Sequence, residues 1–110
     1  MKSDGQATKY LDLAAEMTIP DNGTLSRVLH SDEHVRLVVF AFDTGQELTD
    51  HAAGVPAIVQ VVSGRLALTL EEETVEIDSR SWIHMPARLP HAVRALEPSI
   101  MVLSLLKGSR

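Results

Sequence analysis

Histidine is the side chain on which any metal or acid–base chemistry of this chain depends. The 110 residues contain five histidines and no cysteine. The absence of cysteine excludes disulfide scaffolds, thiolate zinc sites, iron–sulfur clusters and cysteine nucleophiles. Imidazole, carboxylate and amide groups therefore remain as the side-chain ligands, and they suit hard or borderline divalent metal ions.

Two of the histidines stand in segments with a distinctive spacing. Gly45 is followed after five residues by His51, and Gly64 lies thirteen residues beyond that histidine. Farther along, Pro86 opens the sequence Pro-Ala-Arg-Leu-Pro, which ends directly before His91. The meaning of these spacings depends on the elements that carry the two histidines.

The apolar residues of the chain are grouped in short runs, with no helical periodicity. The runs cover residues 35–42, 57–62, 65–70, 74–77, 82–85, 92–96 and 100–106. Most are rich in Val, Ile and Leu, and turn-forming Gly, Pro, Asp and Ser residues separate them. Short strands with frequent turn signals predict an all-β sandwich or barrel. The acidic triplet at residues 71–73 is predicted to be a solvated hairpin loop.

The segment before the first apolar run is less regular. Residues 11–17 fit a helix of at most two turns, whereas residues 8–13 alternate well enough to be an edge strand, with 10–13 as its edge. Residues 25–29 are a further candidate strand, preceded by the turn sequence Asp-Asn-Gly.

Together, the two histidine segments resemble the two motifs of the cupin superfamily. The family patterns are Gly-x5-His-x-His-x3/4-Glu-x6-Gly and Pro-x-Gly-x2-His, and the resemblance covers residues 35–106. It is to small single-domain cupins of the cupin 2 conserved-barrel type. The implied fold is an antiparallel double-stranded β-helix, a jelly-roll-like barrel. The implied organisation is one domain over residues 1–110, with N-terminal flanking strands at 1–34 and the conserved barrel at 35–106.

The resemblance implies a metal site that this chain retains only in part. His51 matches the first histidine of motif one, and His91 matches the histidine of motif two. The second motif-one histidine falls on Ala53, and the acidic ligand falls on Ala57 or Ile58. Firm binding of a divalent transition metal normally takes three or four protein ligands. The expected metal ligands are therefore His51 and His91, with two ligand positions lost.

Other residues are candidates to complete the site. Gln60 and His84 are possible further metal ligands. If His51 faces the barrel interior, regular strand alternation turns Gln60 outward, unless a bulge near Gly54 or Pro56 reverses the parity. The face on which His84 lies cannot be predicted by counting residues from His91, because a proline turn separates the two histidines.

The substrate pocket is predicted to include Trp82, Met85 and Arg94. The alternatives are a core or interface role for Trp82 and Met85, and a surface charge for Arg94. Arg88 occupies the glycine position of the second motif and is either a surface charge or a further candidate to face an anionic ligand, because guanidinium suits carboxylates.

These features predict a small cupin barrel protein that binds a metal ion, a small molecule, or both in the barrel pocket. The expected metal is Fe, Mn, Ni or Zn. One alternative is a metal-dependent dioxygenase, isomerase or lyase acting on a small polar substrate. Another is a metal-free ligand-binding or sensor module, which the two alanines favour, and a third is a partner protein of a larger enzyme system.

Charge and hydropathy limit the partners and the compartment. The net charge of −5 argues against nucleic-acid binding, which needs clustered cations. The sequence has no apolar stretch of about eighteen residues, so no membrane-spanning helix is predicted. The polar N-terminus does not resemble a signal peptide. We therefore expect a cytoplasmic protein that binds a small molecule. An exposed edge at residues 10–13 further predicts a homodimer.

Overall fold

The computed structural model describes residues 5–108, and the side chains of all of these except residues 50 and 51. Nine β-strands and one short 3-10 helix make up the regular structure of this range. The strands are β1 (Thr24–Ser31), β2 (Val35–Phe42), β3 (Glu47–His51), β4 (Ala57–Ser63), β5 (Leu66–Leu70), β6 (Glu73–Ile77), β7 (Ile83–Met85), β8 (His91–Ala95) and β9 (Ser99–Leu106). The predicted all-β class is confirmed.

Two antiparallel sheets pack face to face. The first has five strands in the order β1-β2-β9-β4-β7, and the second has four strands in the order β3-β8-β5-β6. Strands far apart in sequence are neighbours in both sheets, as β2 and β9 show by pairing along their full lengths from Val35↔Leu106 to Phe42↔Ser99. This crossed-over order is that of a jelly-roll-like double-stranded β-helix, as predicted.

The core lies between the inner faces of the two sheets. In β4, Val59 and Val61 are buried while Gln60 between them is exposed, which is the period-two alternation of a strand with one face in the core. Leu66 and Leu68 of β5 face the same core from the four-stranded sheet. The largest buried side chains there are Phe42, Leu66, Leu68, Met85 and Met101.

The N-terminal segment covers the outer face of the five-stranded sheet. Tyr10, Leu13 and Met17 pack against a second apolar cluster there, centred on Val39 and Val102. The Tyr10 hydroxyl donates a hydrogen bond to the Leu29 carbonyl (2.7 Å). The predicted edge strand over residues 10–13 is therefore wrong, because these residues pack flat on a sheet instead of pairing at its edge.

The predicted helix over residues 11–17 is reduced to a 3-10 helix at Leu13–Glu16, capped by Asp12. Short isolated helices are marginal in water, so packing on the sheet decides the conformation of this segment. The candidate strand at residues 25–29 is confirmed within the longer β1. Within residues 5–108, no helix has the length and apolar character that crossing a membrane requires.

Candidate functional site

His91 begins strand β8 and is nearly buried, with 7% of its surface exposed. Pro86 ends β7 and Pro90 directly precedes the histidine, so a short proline-bounded turn delivers His91 to the start of its strand. The Nδ1 atom of His91 lies 3.0 Å from the Leu89 carbonyl oxygen. A carbonyl oxygen only accepts hydrogen bonds, so Nδ1 is the donor in this contact.

His51 ends strand β3 and is the register partner of His91 in the four-stranded sheet. A register shift between Leu48 and His51 produces this pairing. Residues directly opposite in an antiparallel pair have Cβ atoms about 4.5–5.5 Å apart. The topology thus brings together the two histidines that the sequence motifs single out.

The inner walls beside His91 are apolar. Leu70 of β5 is its register partner on the other side from His51. On the facing sheet, Ala57 of β4 pairs with Met85 of β7, and both are fully buried in the core cluster. An imidazole in such surroundings is held by its Leu89 hydrogen bond and shielded from bulk solvent.

The described residues supply no further metal ligands to this region. Ala53 and Ala57 stand where the cupin motif has ligands, and Ala57 is 1% exposed. Among the residues whose side chains are described, no three His, Cys, Asp or Glu residues are grouped closely enough to hold a metal ion. His51 and Asp50 are outside that set of side chains, so the His51–His91 pair is a separate candidate.

The turn before His91 is joined to the loop after His51. The Arg88 amide donates a hydrogen bond to the Ala53 carbonyl (2.7 Å), and the Leu89 amide donates to Pro86 (3.4 Å). Arg88 adopts a φ of 67°, in the left-handed region that favours glycine. The loop at residues 52–56 and the turn at residues 86–90 are therefore joined beside the histidine pair, and together they are called the rim.

The two additional ligand candidates lie elsewhere. Gln60 is exposed on the outer face of the five-stranded sheet, as strand alternation predicts for it. His84 is exposed on the same outer face, opposite Ile58, with its ring 6.4 Å from that of Trp82 at an interplanar angle of 21°. Neither side chain is brought to His91.

Of the predicted pocket residues, only Met85 faces the barrel interior. Trp82 is 61% exposed on the outside. Arg94 alternates with the buried Val93 and Ala95, so it lies on the outer face of the four-stranded sheet, where its Nε is 4.0 Å from the Glu47 carboxylate. The structure does not bring Trp82 or Arg94 to the histidine pair.

Arg94 instead borders a shallow groove of about 240 Å³ on that outer face. Its lining residues are Glu47, Ala67, Thr69, Thr74, Ala92, Val93 and Arg94. The groove exists because small alanine and threonine side chains occupy the centre of this face. The alternation of small and large residues along β5 and β8 is the sequence signal for it.

The other two described histidines, His30 and His34, have contacts near the turn between β1 and β2. His30 Nε2 lies 2.8 Å from the Asp32 carboxylate in the turn between β1 and β2. Hydrogen bonds to Asp32 from His30, and from the amides of His34 and Val35, hold the pKa of that carboxyl well below its usual range. His34 is exposed near Glu33.

Comparisons with known proteins identify the fold. No protein-family profile matches the chain, and no curated protein matches its sequence. Among solved structures, a conserved protein of unknown function from Streptococcus pyogenes is 34% identical, with a TM-score of 0.83 over 96% of this chain and 92% of that one. A cupin superfamily protein from Desulfitobacterium hafniense is 19% identical, with a TM-score of 0.84 over 93% and 94% of the two chains.

KdgF from a Halomonas species is 22% identical, with a TM-score of 0.75 over 90% of this chain and 95% of that chain. Together with the two-sheet topology and the motif-bearing rim, these likenesses define the class. The chain has the cupin fold and is a small cupin barrel protein.

Proposed function

We propose that this protein binds a divalent transition metal ion through His51 and His91, and that the metal ion holds a small molecule at the mouth of the barrel. The observation that carries the proposal is the Nδ1 hydrogen bond of His91 to the Leu89 carbonyl. Metal-ligating histidines almost always donate the other ring N–H to a carbonyl or carboxylate, which fixes the tautomer and the ring orientation.

The donor set fits Fe, Mn, Ni or Zn, because imidazole is a good ligand for these ions and the chain has no thiolate. Two imidazoles leave most coordination positions for water or for a small molecule. A metal ion held in this way is bound more weakly than one with three or four protein ligands. When bound, it would supply Lewis-acid polarisation to a coordinated oxygen.

The role of the chain's own residues is then to bind and orient. Leu89 fixes the His91 ring, which is nearly buried beside its register partner Leu70. A metal-dependent dioxygenase, isomerase or lyase activity on a small polar substrate would build on this arrangement, with substrate at the open positions and, for a dioxygenase, dioxygen and a redox-active metal as well.

A second candidate is metal-free binding of a small molecule by the same histidines. The observation that favours it is Ala57, which is 1% exposed and packed in the core at a position where the motif expects a metal ligand. In that case the His91 Nε2 acceptor would receive a hydrogen bond from the ligand directly.

Elemental analysis of protein purified without a histidine tag tests the first candidate against the second. The proposal expects Fe, Mn, Ni or Zn in the purified or metal-supplemented protein, and its loss in His51→Ala and His91→Ala. His84→Ala is the matched control, since that histidine is exposed on the outer face. The first candidate is contradicted if the wild-type protein holds no metal after supplementation. It is also contradicted if His91→Ala holds as much metal as the wild type.

We also propose that two copies of the chain form a homodimer through the β1 side of the five-stranded sheet. Leu25 and Val28 of β1 are 50% and 43% exposed, and β1 is the outermost strand of its sheet. Long apolar edge strands invite pairing with another chain. Light scattering should give twice the 12.0 kDa chain mass, and Leu25→Lys with Val28→Lys should give the monomer.

Thr74→Lys, on the outer face of the other sheet, should leave that dimer intact. A wild-type monomer at high protein concentration contradicts the proposal, as does a dimer that survives both lysines.

A further inference from the structure

The turn between β7 and β8 holds a cation in a backbone conformation that side chains rarely adopt. Arg88 has a φ of 67°. Non-glycine residues with positive φ are uncommon, and Asn, Asp and His are enriched among them. Glycine would take this conformation without steric cost, and backbone strain of this kind clusters at ligand-binding sites. The presence of arginine at a position that suits glycine points to a role for the Arg88 side chain.

The position of Arg88 puts it beside the histidine pair. It is three residues before His91, and its amide donates to the carbonyl of Ala53, two residues after His51. The residue thus lies on the rim where the two motif segments meet.

The side chain of Arg88 is exposed, and within the described part of the chain it has no ion pair and no hydrogen bond. Arg36 of β2 is likewise exposed with no ion pair or hydrogen bond in that part of the chain, but it lies outside the two motif segments. Arginines elsewhere in the described residues are paired. Arg27 is paired with Glu16, and Arg80 is paired with Asp78 at 2.9 Å and 3.0 Å respectively. The guanidinium on the rim is therefore available to a ligand, whereas these surface arginines are engaged by carboxylates of the protein.

An acidic turn lies next to the rim. The amide of Glu71 donates to the Pro90 carbonyl (2.9 Å), so the acidic turn formed by Glu71 and Glu72 adjoins the loop that precedes His91. A negatively charged group would be repelled from this acidic turn and attracted to Arg88. The arrangement of charges gives a bound anion one preferred side of the mouth.

From these observations we infer that the ligand of this site is a small organic anion whose anionic group is held by Arg88. This inference rests on the proposed function, because the other polar end of the ligand is assigned to the His51–His91 pair. Guanidinium presents a planar fork of donors that matches both carboxylate and phosphate oxygens. Both groups are therefore admitted as the anionic end, and the probes below separate them.

The test measures binding of malonate, inorganic phosphate and the uncharged malonamide to the full chain. Titrations are followed by calorimetry and by the His91 ring signals in NMR spectra. Malonate or phosphate should bind and shift the His91 signals, and malonamide should bind about tenfold more weakly or worse. The tighter of the two anions identifies the carboxylate or the phosphate class.

Three variants assign the effect to Arg88. Arg88→Gly should lower anion affinity about tenfold or more and should fold, because glycine suits the turn. Arg88→Lys should lose less anion affinity than Arg88→Gly, since lysine keeps the positive charge but lacks the planar fork of guanidinium donors. Arg80→Gly is the matched control, because it removes another exposed turn arginine away from the rim, and its anion affinity should equal that of the wild type.

Each remaining outcome is decisive. Equal anion affinities of Arg88→Gly and Arg80→Gly overturn the inference, as does failure of both anions to bind the wild type or equal binding of malonamide. Metal titration of the same variants separates this result from the proposed function. Arg88→Gly should take up metal normally, and anion binding that depends on Arg88 in a protein that takes up no metal contradicts the metal proposal alone.

Discussion

His51 and His91 are directly opposed register partners in the β3–β8 pair of the four-stranded sheet. One residue ends its strand and the other begins its strand, so both lie at the same end of the barrel. Each is followed or preceded by a loop, and the Arg88–Ala53 hydrogen bond joins those loops. The pairing of the histidines is therefore set by backbone register and is braced from the rim.

Gly64 is predicted to be required for the fold. Its φ is 88°, and a Cβ atom added there would overlap the Ser99 side chain and the Pro98 carbonyl. Gly64→Ala should therefore lower the free energy of unfolding by about 2–3 kcal/mol, measured by urea denaturation. Gly45→Ala is the matched control, because Gly45 has a similar φ of 82° but open space around it.

Gly45→Ala should cost about 1–2 kcal/mol, the conformational penalty alone. Equal losses of stability in the two alanine variants would contradict the overlap as the cause.

Arg88→Gly is predicted to stabilise the protein while it weakens the site. Replacing a non-glycine residue at a left-handed position with glycine relieves about 1 kcal/mol of backbone strain, part of which is offset by the greater freedom of glycine in the unfolded chain. We expect the unfolding midpoint to rise or stay level. A clear fall in the midpoint would mean that the Arg88 side chain stabilises the fold, which argues against a role reserved for a ligand.

Asp32 is predicted to make stability depend on acid pH. The His30 side chain and the His34 and Val35 amides hydrogen-bond to its carboxylate and lower its pKa in the folded protein. The folded state therefore binds a proton less readily than the unfolded state. The stabilisation is fully present above the unfolded pKa of about 3.9 and is lost as pH falls below it.

Thermal unfolding from pH 7 to pH 2 should show a steeper acid decline for the wild type than for Asp32→Asn. Asp32→Asn should be less stable at pH 7, and the gap should narrow in acid. Asp21→Asn is the control, because that carboxylate makes no hydrogen bond within the described residues. Parallel pH profiles for the wild type and Asp32→Asn would show that the carboxylate of Asp32 does not contribute in this way.

The strands with apolar residues were predictable from sequence, and the polar strand was not. Residues 57–62 form the apolar run that becomes β4, with Val59 inside and Gln60 outside. Strand β3 has the sequence ELTDH, with one apolar residue, so a search for apolar runs does not detect it. Its place in the sheet is fixed by pairing with β8, a long-range contact that local composition does not encode.

The candidate site was predictable only where a motif marks it. The motif spacings identify His51 and His91, whereas the pocket predictions for Trp82 and Arg94 depend on which face of a strand each residue occupies. For Trp82 that parity is set by the irregular segment before β7 and cannot be counted through it. For Arg94 it follows from His91, because residues three apart on a regular strand face opposite sides. The predicted edge at residues 10–13 was wrong for a related reason, since tertiary packing on the sheet overrides a short alternating pattern.

The most direct test of the histidine site is a long-range ¹H–¹⁵N spectrum of the imidazole rings, recorded with and without added Zn²⁺. We predict that His91 has the Nδ1–H tautomer, that its Nε2 signal shifts with the first equivalent of Zn²⁺, and that the exposed His84 does not respond. An Nε2–H tautomer at His91, or Zn²⁺ shifts that leave His91 unchanged, would contradict the account.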